Sequence, residues 1–240
     1  MTAITAITAQ NTCGVRAIHP VLPALLRDQI AMVVEDIGVH AVKVGMLHSA
    51  EVIRTVAQAI DHYNLPHLVL DPVMVATSGA VLMDDAAISV LVSELFARAV
   101  VITPNLDEAA LLAGKPLTSV QDMALAAQAL LGLGARAVLL KGGHLPGEQV
   151  VDVLMLTGQE PLWMESPRIH SPNTHGTGCT LSSAMAAYLA LGCTLTDAVQ
   201  QARLFVRQAL MAGATVKTGR GSGPLNHGFS PLPMRLLFMR

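Results

Sequence analysis

The chain has 240 residues, of which 52% are hydrophobic and only 3% aromatic, and its 15 basic and 17 acidic side chains give a formal net charge of −2. This length and aliphatic composition predict one α/β domain over residues 1–240, with buried parallel strands beneath aliphatic helices. No run of Lys or Arg could neutralise a phosphate backbone and no apolar run approaches 18 residues, so neither nucleic acid nor a membrane is an expected partner.

Apolar runs alternate with amphipathic stretches between His19 and Val101, and this pattern predicts βα units of a parallel sheet. The expected elements are a helix near Pro20–Ile37, a strand Ala41–Gly45, a helix Ala50–Tyr63, a strand His67–Asp71, a helix Asp84–Arg98, a strand Ala99–Ile102, a short helix from Asn105, a helix Ser119–Leu133 and a strand Ala137–Lys141.

The second half of the chain changes pattern. Two hairpin-like runs, Val150–Leu156 and Leu162–Glu165, predict antiparallel strands at one edge of the sheet. Two Ala/Leu-rich helices follow over Cys179–Leu191 and Thr196–Ala214, and the tail Thr218–His227 is rich in glycine, which predicts a mobile or ligand-shaped loop. The predicted fold is therefore a mostly parallel sheet with helices on both faces.

The segment Asn173–Thr180 runs straight into an Ala-rich helix and contains two glycines, Gly176 and Gly178, around Thr177. Such a junction directs unpaired backbone N–H groups at one point, and the helix N-terminus adds partial positive charge. The segment could therefore hold a phosphoryl group as an anion hole during transfer. The alternative is an ordinary tight turn, since glycines also begin helices for conformational reasons alone.

Cys179 is expected in the first turn of that helix, where the dipole favours a thiolate, so it could act as a base or a nucleophile. The alternative is a small buried side chain, the usual place of a free cysteine. Cys13 and Cys193 lack such surroundings and are expected to be structural. Three cysteines without close pairing form no disulfide framework, which predicts a reducing, cytoplasmic location.

Polar side chains follow three of the predicted strands. Asp71 ends one strand, Thr103–Glu108 follows the next, and Lys141 ends a third. The carboxyl ends of parallel strands are where open sheets bind ligands, and Asn105 and Glu108 lie one helical turn apart, able to orient water on a magnesium ion. A helix cap made by Asn105 with Glu108 as its partner is a second interpretation, compatible with the first.

Six segments in order resemble one family: MTAITAITAQNT (1–12), VKVGML (42–47), DPVMVATSG (71–79), LKGGH (140–144), THGTGCT (174–180) and GSGPLNH (221–227). The Asn-x-x-Glu and Gly-x-Gly elements resemble those of the ribokinase superfamily. A cysteine after the second glycine, where most members have aspartate, is similar to the hydroxymethylpyrimidine/phosphomethylpyrimidine kinases of thiamine biosynthesis. The resemblance implies a ribokinase-like fold, ATP and Mg²⁺ as cofactors, and a homodimer.

The resemblance also implies roles for individual residues. Gly176, Thr177, Gly178 and Cys179 would form the anion hole and its base, with Cys179 facing the hydroxymethyl oxygen of the substrate. Substrate binding is implied for Gln10, Met46 and Val73, nucleotide binding for Asn105, Lys141 and Thr174, and metal binding for Asp71 and Glu108. The segment around Gly221 would lie near the nucleotide.

The start of the sequence departs from the family pattern, because members normally begin with a strand and a glycine-rich substrate-contacting segment. About 30 residues, one βα unit, are expected to be missing, which would leave backbone groups of the sheet unpaired.

Two alternative functions remain open. One is a pyridoxal or pyridoxine kinase, since both acceptors are flat heteroaromatic rings with a hydroxymethyl group; the other is a truncated, non-catalytic pyrimidine-binding protein.

Overall fold

The computed structural model describes residues 1–75 and 81–231. Its strands are β1 Ala6–Asn11, β2 Gly14–Pro20, β3 Val42–Val44, β4 Leu68–Leu70, β5 Val101–Ile102, β6 Ala137–Leu140, β7 Gln149–Leu156 and β8 Leu162–Pro167. Its helices are α1 Pro23–Ile37, α2 Ala50–His62, α3 Asp85–Leu95, α4 Leu106–Ala113, α5 Val120–Gly132, α6 Thr177–Ala190 and α7 Leu195–Gly213.

Six strands form one sheet in the order β3-β4-β5-β6-β7-β8. The first four are parallel, with helices in their connections, whereas β7 and β8 pair antiparallel. The prediction of a mostly parallel sheet with antiparallel strands at one edge is therefore confirmed.

Both faces of the sheet are buried, which explains why its parallel strands are apolar at every position except Lys43 in β3. Leu68 and Leu70 pack into a core on one face with α1 to α5, while Val69 between them packs on the other face. Residues of α6 and α7, such as Met185 and Val199, build that second core. Successive side chains of a strand point to opposite faces, so one continuous apolar run supplies both cores.

Helix boundaries follow the capping residues. Ser49 caps α2 and Asp84 caps α3, in each case by accepting a hydrogen bond from the backbone N–H three residues later. Helix α1 begins at Pro23, three residues later than expected from the sequence, because proline is favoured in a first helical turn that lacks a side-chain cap. No helix within 1–75 or 81–231 combines the length and the apolar character needed to cross a membrane.

A two-stranded hairpin, β1 and β2, precedes α1 and is not part of the large sheet. The sequence analysis did not predict it. Its tip reaches the glycine-rich tail, where the amide of Gly221 donates to Thr12 Oγ1 over 3.2 Å. A Cβ at Gly221 would overlap the carbonyl of Thr12, so glycine is needed for this close approach.

Candidate active site

Three neighbouring parallel strands end in polar residues at one rim of the sheet: Asp71 follows β4, Thr103 follows β5 and Lys141 follows β6. Lys141 Nζ lies 2.9 Å from Asp71 Oδ1, and Thr103 Oγ1 donates to the same oxygen over 3.0 Å. The expectation that polar residues at the strand ends share one rim is confirmed for Asp71 and Lys141. The rim is also the edge of an open parallel sheet at which ligands bind.

Asp71 is buried among cations and hydroxyl donors. Its second oxygen, Oδ2, accepts a hydrogen bond from Ser182 Oγ over 3.3 Å and lies 3.9 Å from Lys43 Nζ. Burial alone would raise the pKa of Asp71, but the charges of Lys141 and Lys43 and the hydrogen bonds hold it below its usual value. The carboxylate is therefore ionised; it bonds the Lys141 ammonium and attracts that of Lys43 from a longer distance.

Lys141 is held in place by backbone and side chain. Its amide donates to the carbonyl of Pro104 over 3.0 Å, which fixes the end of β6 beside the start of α4. Burial would lower the pKa of the Lys141 ammonium, but the carboxylates of Asp71 and Glu108 outweigh that effect and raise it. The site thus contains a permanently charged cation with little contact with solvent.

Asn105 and Glu108 form the expected capping box of α4. Asn105 Oδ1 accepts from the Glu108 amide over 2.9 Å, and Glu108 Oε2 accepts from the Asn105 amide over 2.8 Å. Burial raises the pKa of Glu108 to about 7, against the opposing charge of Lys141. Near neutral pH both the protonated and the ionised forms of the Glu108 carboxyl group are therefore populated.

A magnesium ion fits Glu108 better than Asp71. Glu108 uses only Oε2 in the described hydrogen bonds, so its second oxygen is available to a cation or its bound water, whereas both oxygens of Asp71 already accept from Lys141, Thr103 or Ser182. In the described residues no three His, Cys, Asp or Glu side chains gather into a metal site. Mg²⁺ would then depend on ligand phosphates for most of its coordination.

The glycine-containing loop has the geometry of an anion hole. Gly176 caps α6 in the left-handed region, with φ 83°, and α6 begins at Thr177. Within 1–75 and 81–231, the backbone N–H groups of Gly176, Gly178 and Cys179 have no hydrogen-bond acceptor. Three free donors at a helix N-terminus are suited to oxygen atoms of a phosphoryl group.

Gly178 brings this loop to the strand rim. A Cβ on Gly178 would lie 3.1 Å from Lys141 Nζ and 3.9 Å from Asp71 Oδ2. Ser182, one turn later in α6, donates to the carbonyl of Gly178 over 3.0 Å as well as to Asp71. Ser182 and Lys43 were not predicted as site residues, and Thr103 was predicted only as the first residue of the polar segment that follows β5.

Cys179 lies in the first turn of α6, as expected, and is exposed. The alternative of a small buried side chain is therefore wrong. Its neighbourhood opens into a cavity of about 920 Å³ that runs along α6. Thr174, at the other end of the loop, contacts Ser222 through a 3.1 Å hydroxyl pair, which joins the anion loop to the glycine-rich tail.

The predicted acceptor-binding residues are less closely assembled. Met46 lines a second cavity, of about 660 Å³, together with Lys43 and Gly45, and its carbonyl accepts from Thr5 Oγ1 over 2.7 Å. Gln10 is exposed on β1 and Val73 lies two residues beyond Asp71; neither lines that cavity. Their roles remain predictions, and residues 76–79 of the segment beginning at Asp71 lie outside the described residues.

Comparison with known proteins gives matches along most of the chain. The sequence pattern of the phosphomethylpyrimidine kinase family matches residues 1–226. The chain is 42% identical over 227 residues to the hydroxymethylpyrimidine/phosphomethylpyrimidine kinase of Bacillus subtilis, covering 95% of this chain and 83% of that protein. It is 48% identical over 224 residues to the thiamine biosynthesis bifunctional protein ThiED of Geobacter sulfurreducens, covering 93% of this chain but only 45% of that longer protein.

A solved structure gives the same fold. The ADP complex of Bacillus subtilis pyridoxal kinase superposes with a TM-score of 0.85 at 35% sequence identity, covering 95% of this chain and 85% of the other. The expected ribokinase-like architecture is thereby confirmed. The bound ADP of that neighbour agrees with use of an adenine nucleotide by this group of proteins.

Proposed function

This chain belongs to the phosphomethylpyrimidine kinase family, and from that premise we propose that it transfers the γ-phosphoryl group of ATP to 4-amino-5-hydroxymethyl-2-methylpyrimidine and then to its monophosphate, giving the diphosphate used in thiamine biosynthesis. The observation that carries the proposal is the position of Gly178, where a Cβ atom would lie only 3.1 Å from the Lys141 ammonium. A backbone anion hole and a buried cation therefore share one small space.

The transfer depends on charge stabilisation and positioning more than on covalent chemistry of the protein. The free amides of Gly176, Gly178 and Cys179 donate to the equatorial oxygens of the moving phosphoryl group, and Lys141 neutralises part of its charge. Asp71, Thr103 and Ser182 hold Lys141 and the start of α6 at a fixed separation. Glu108 would help to hold Mg²⁺ together with the nucleotide phosphates, and the ion would supply further neutralisation of phosphate charge.

Cys179 is proposed as the base for the first transfer. Its thiol is exposed at the anion hole, and the acceptor of that step is a neutral hydroxymethyl group that must lose a proton. The acceptor of the second step is a phosphate oxygen, already ionised near neutral pH. The two steps therefore differ in their need for a base.

We also propose which residues bind the two substrates, how far the domain extends, and the location and assembly of the protein. Asn105, Thr174 and Lys141 would bind the nucleotide, and Gln10, Met46 and Val73 the pyrimidine. We propose a single kinase domain over residues 1–240, which is supported by the single six-stranded sheet of the described residues. A cytoplasmic homodimer is part of the same proposal.

The direct test is phosphate-transfer activity of the purified chain with ATP and Mg²⁺. Hydroxymethylpyrimidine and its monophosphate should both be converted, with Lys141→Met as a variant that loses the site cation and Lys115→Met as a matched control on the exposed surface. Binding of the pyrimidine without consumption of ATP would instead support the non-catalytic alternative.

A second candidate is a pyridoxal kinase, favoured by the pyridoxal kinase structure of the same fold. Competition separates the two, because pyridoxal and hydroxymethylpyrimidine would occupy the same acceptor site. A kcat/KM for pyridoxal above that for hydroxymethylpyrimidine would make the pyridoxal activity the main one.

A further inference from the structure

We infer that Lys43 binds the phosphate of a phosphorylated acceptor, and that this residue determines the specificity of the site for the second phosphoryl transfer. The inference rests on the proposed function and assigns a role to a side chain that the mechanism above leaves without one. Three observations carry it: the ammonium of Lys43 has no bonded partner among the described residues, its surroundings carry an excess of positive charge, and it lines the cavity that Met46 also lines.

The Lys43 ammonium is close to Asp71 without bonding to it. Its Nζ lies 3.9 Å from Asp71 Oδ2, beyond hydrogen-bond length, whereas Lys141 bonds the other oxygen at 2.9 Å. In the part of the chain that the structure describes, Lys43 Nζ donates to no acceptor, yet only 19% of its side chain is exposed. The ammonium is not fully enclosed, but its free donors face the cavity beside β3, where an anion would satisfy both its charge and its hydrogen bonds.

The direction of the side chain follows from the strand. Val42 and Val44 belong to the core on the α2 and α3 side of the sheet, so Lys43 between them points to the opposite face, toward α6. Gly178, at the N-terminus of α6, lies against the same carboxylate oxygen of Asp71 as Lys43 does. Lys43 and Lys141 therefore lie beside different oxygens of the Asp71 carboxylate, close to the anion hole.

The charges of this cluster do not balance. Two ammonium groups, Lys43 and Lys141, face one fully ionised carboxylate, Asp71. An excess of positive charge remains, and it is concentrated where the described residues leave space for an anion.

Lys43 also borders an open cavity. It shares the cavity of about 660 Å³ with Gly45 and Met46, the latter a predicted pyrimidine contact. A Cβ on Gly45 would lie 2.6 Å from Lys43 Nζ, so the glycine leaves the volume that the ammonium occupies. A pyrimidine bound at Met46 would direct the phosphate on its hydroxymethyl oxygen toward Gly178, and Lys43, which lies near both residues, would donate to that phosphate.

The second transfer makes clear why this charge matters. A bond forms between a phosphate oxygen of the acceptor and the γ-phosphorus of ATP, and the bond from that phosphorus to the bridging oxygen breaks, so that ADP leaves with the electron pair. Acceptor and donor are both anions in this step, and their repulsion must be offset. In the first step the acceptor is an uncharged alcohol, so a cation on the acceptor side contributes less.

The test compares the two steps in a Lys43→Met variant, which keeps the length of the side chain and removes the charge. The loss of kcat/KM for the monophosphate should exceed the loss for the alcohol by about 10- to 100-fold, the range of one charge-assisted contact, with much of the change in KM. Lys115→Met, on the exposed surface, serves as the control and should leave that ratio unchanged. Equal losses for both acceptors would overturn the inference.

A binding measurement separates this inference from the proposed function. Calorimetric titration of the pyrimidine monophosphate without ATP should show weaker binding by Lys43→Met than by the wild-type chain, even if neither chain turns over. That result with an inactive wild type would keep the inference and reject the kinase proposal. Equal affinity of both chains for the monophosphate, or no binding by either, would reject the role of Lys43. The kinase proposal would still stand in that case if the wild-type chain were active.

Discussion

Lys141 and Asp71, 70 residues apart in sequence, form a 2.9 Å ion pair across the carboxyl ends of β6 and β4, directly beneath Gly178. The strand between them, β5, adds Thr103 to the same carboxylate. The pair therefore joins the rim of the sheet to the anion hole, and disturbing it should affect stability and catalysis together.

Replacing Lys141 with Met should lower the free energy of unfolding by about 3 kcal/mol, because a buried carboxylate loses its nearest cation. Lys43, whose Nζ lies 3.9 Å from Asp71 Oδ2, remains as a second cation and should prevent a larger loss of stability. Because the lysines hold the pKa of Asp71 below its ordinary value of 3.8, their stabilisation is present above that pH and is lost as pH falls below it. Urea unfolding at pH 7 measures the main effect.

The same variant should lose kcat/KM by about 10²- to 10³-fold for both acceptors, since a preorganised charge is missing from the transition state. Lys115→Met is the control for removing a lysine elsewhere and should change neither quantity. An active, fully stable Lys141→Met protein would contradict the assignment of Lys141 to the site.

Glu108 should make the protein less stable as pH rises. Its pKa of about 7 lies above the ordinary value of 4.5, so the folded state holds the proton more tightly than the unfolded state does. The resulting stabilisation is complete below about pH 4.5 and is lost as pH rises through about 7, with a total of about 3 kcal/mol. The measurement is the urea midpoint of the wild-type chain across this range.

Glu108→Gln is the matched variant, because the amide oxygen can still accept from the Asn105 backbone and preserve the helix cap. The midpoint of this variant should change less than that of the wild type between pH 5 and pH 8. Parallel curves for the two proteins would show that Glu108 titrates near its ordinary pKa in the folded state.

Cys179→Ala should harm the first transfer more than the second. Removing a general base costs about 10²-fold or more in a step that needs one, and only the hydroxymethyl acceptor has a proton to lose. The values of kcat with each acceptor, at saturating ATP, test this difference. Cys193→Ala, at a half-buried position packed against the α6 and α7 core, should leave both steps intact. Equal losses in the two steps would refute the base assignment.

The order and type of the sheet strands and helices could be predicted from sequence because apolar runs bounded by capping residues report local structure. Ser119, for example, marks the start of α5 in both sequence and structure. The β1 and β2 hairpin was missed because its strands are mostly exposed and carry no strong apolar pattern. Its position depends on distant contacts such as Thr5 with Met46.

The site was predicted only where its residues stand at strand or helix ends. Asp71, Lys141 and Gly178 could be selected in this way, since topology brings such ends to one rim. Ser182 and Lys43 could not, because each gains its importance from a side chain far away in sequence; the Ser182 to Asp71 bond spans 111 residues. Spacing along the chain carries no information about such a contact.

Gly178→Ala should reduce kcat by about 10- to 100-fold with little loss of stability. The added methyl group would lie 3.1 Å from Lys141 Nζ, which forces the ammonium or the loop to shift by a few tenths of an ångström. Small displacements of this kind weaken a preorganised site strongly. Gly132→Ala, in α5 with no atom within 4 Å of the added carbon, is the control and should keep full activity. Normal kcat in Gly178→Ala would argue against phosphoryl binding at this loop.

Ser182→Ala tests whether the hydroxyl that joins α6 to Asp71 positions the anion hole. The buried Ser182 Oγ donates toward Asp71 Oδ2 and the carbonyls of Gly178 and Cys179, so its loss should cost about 1 kcal/mol of stability. The start of α6 would then be less firmly held, and kcat should fall by about 3- to 10-fold while the KM for ATP changes little.

The control is Ser89→Ala in α3, whose hydroxyl makes the same bond to the carbonyl four residues earlier but is exposed and contacts no carboxylate side chain among the described residues. Its free energy of unfolding and its kcat should both stay near wild type. If Ser182→Ala lowered stability but left kcat unchanged, Ser182 would be a packing residue only, and the alignment of the anion hole would have to come from Lys141 and Asp71 alone.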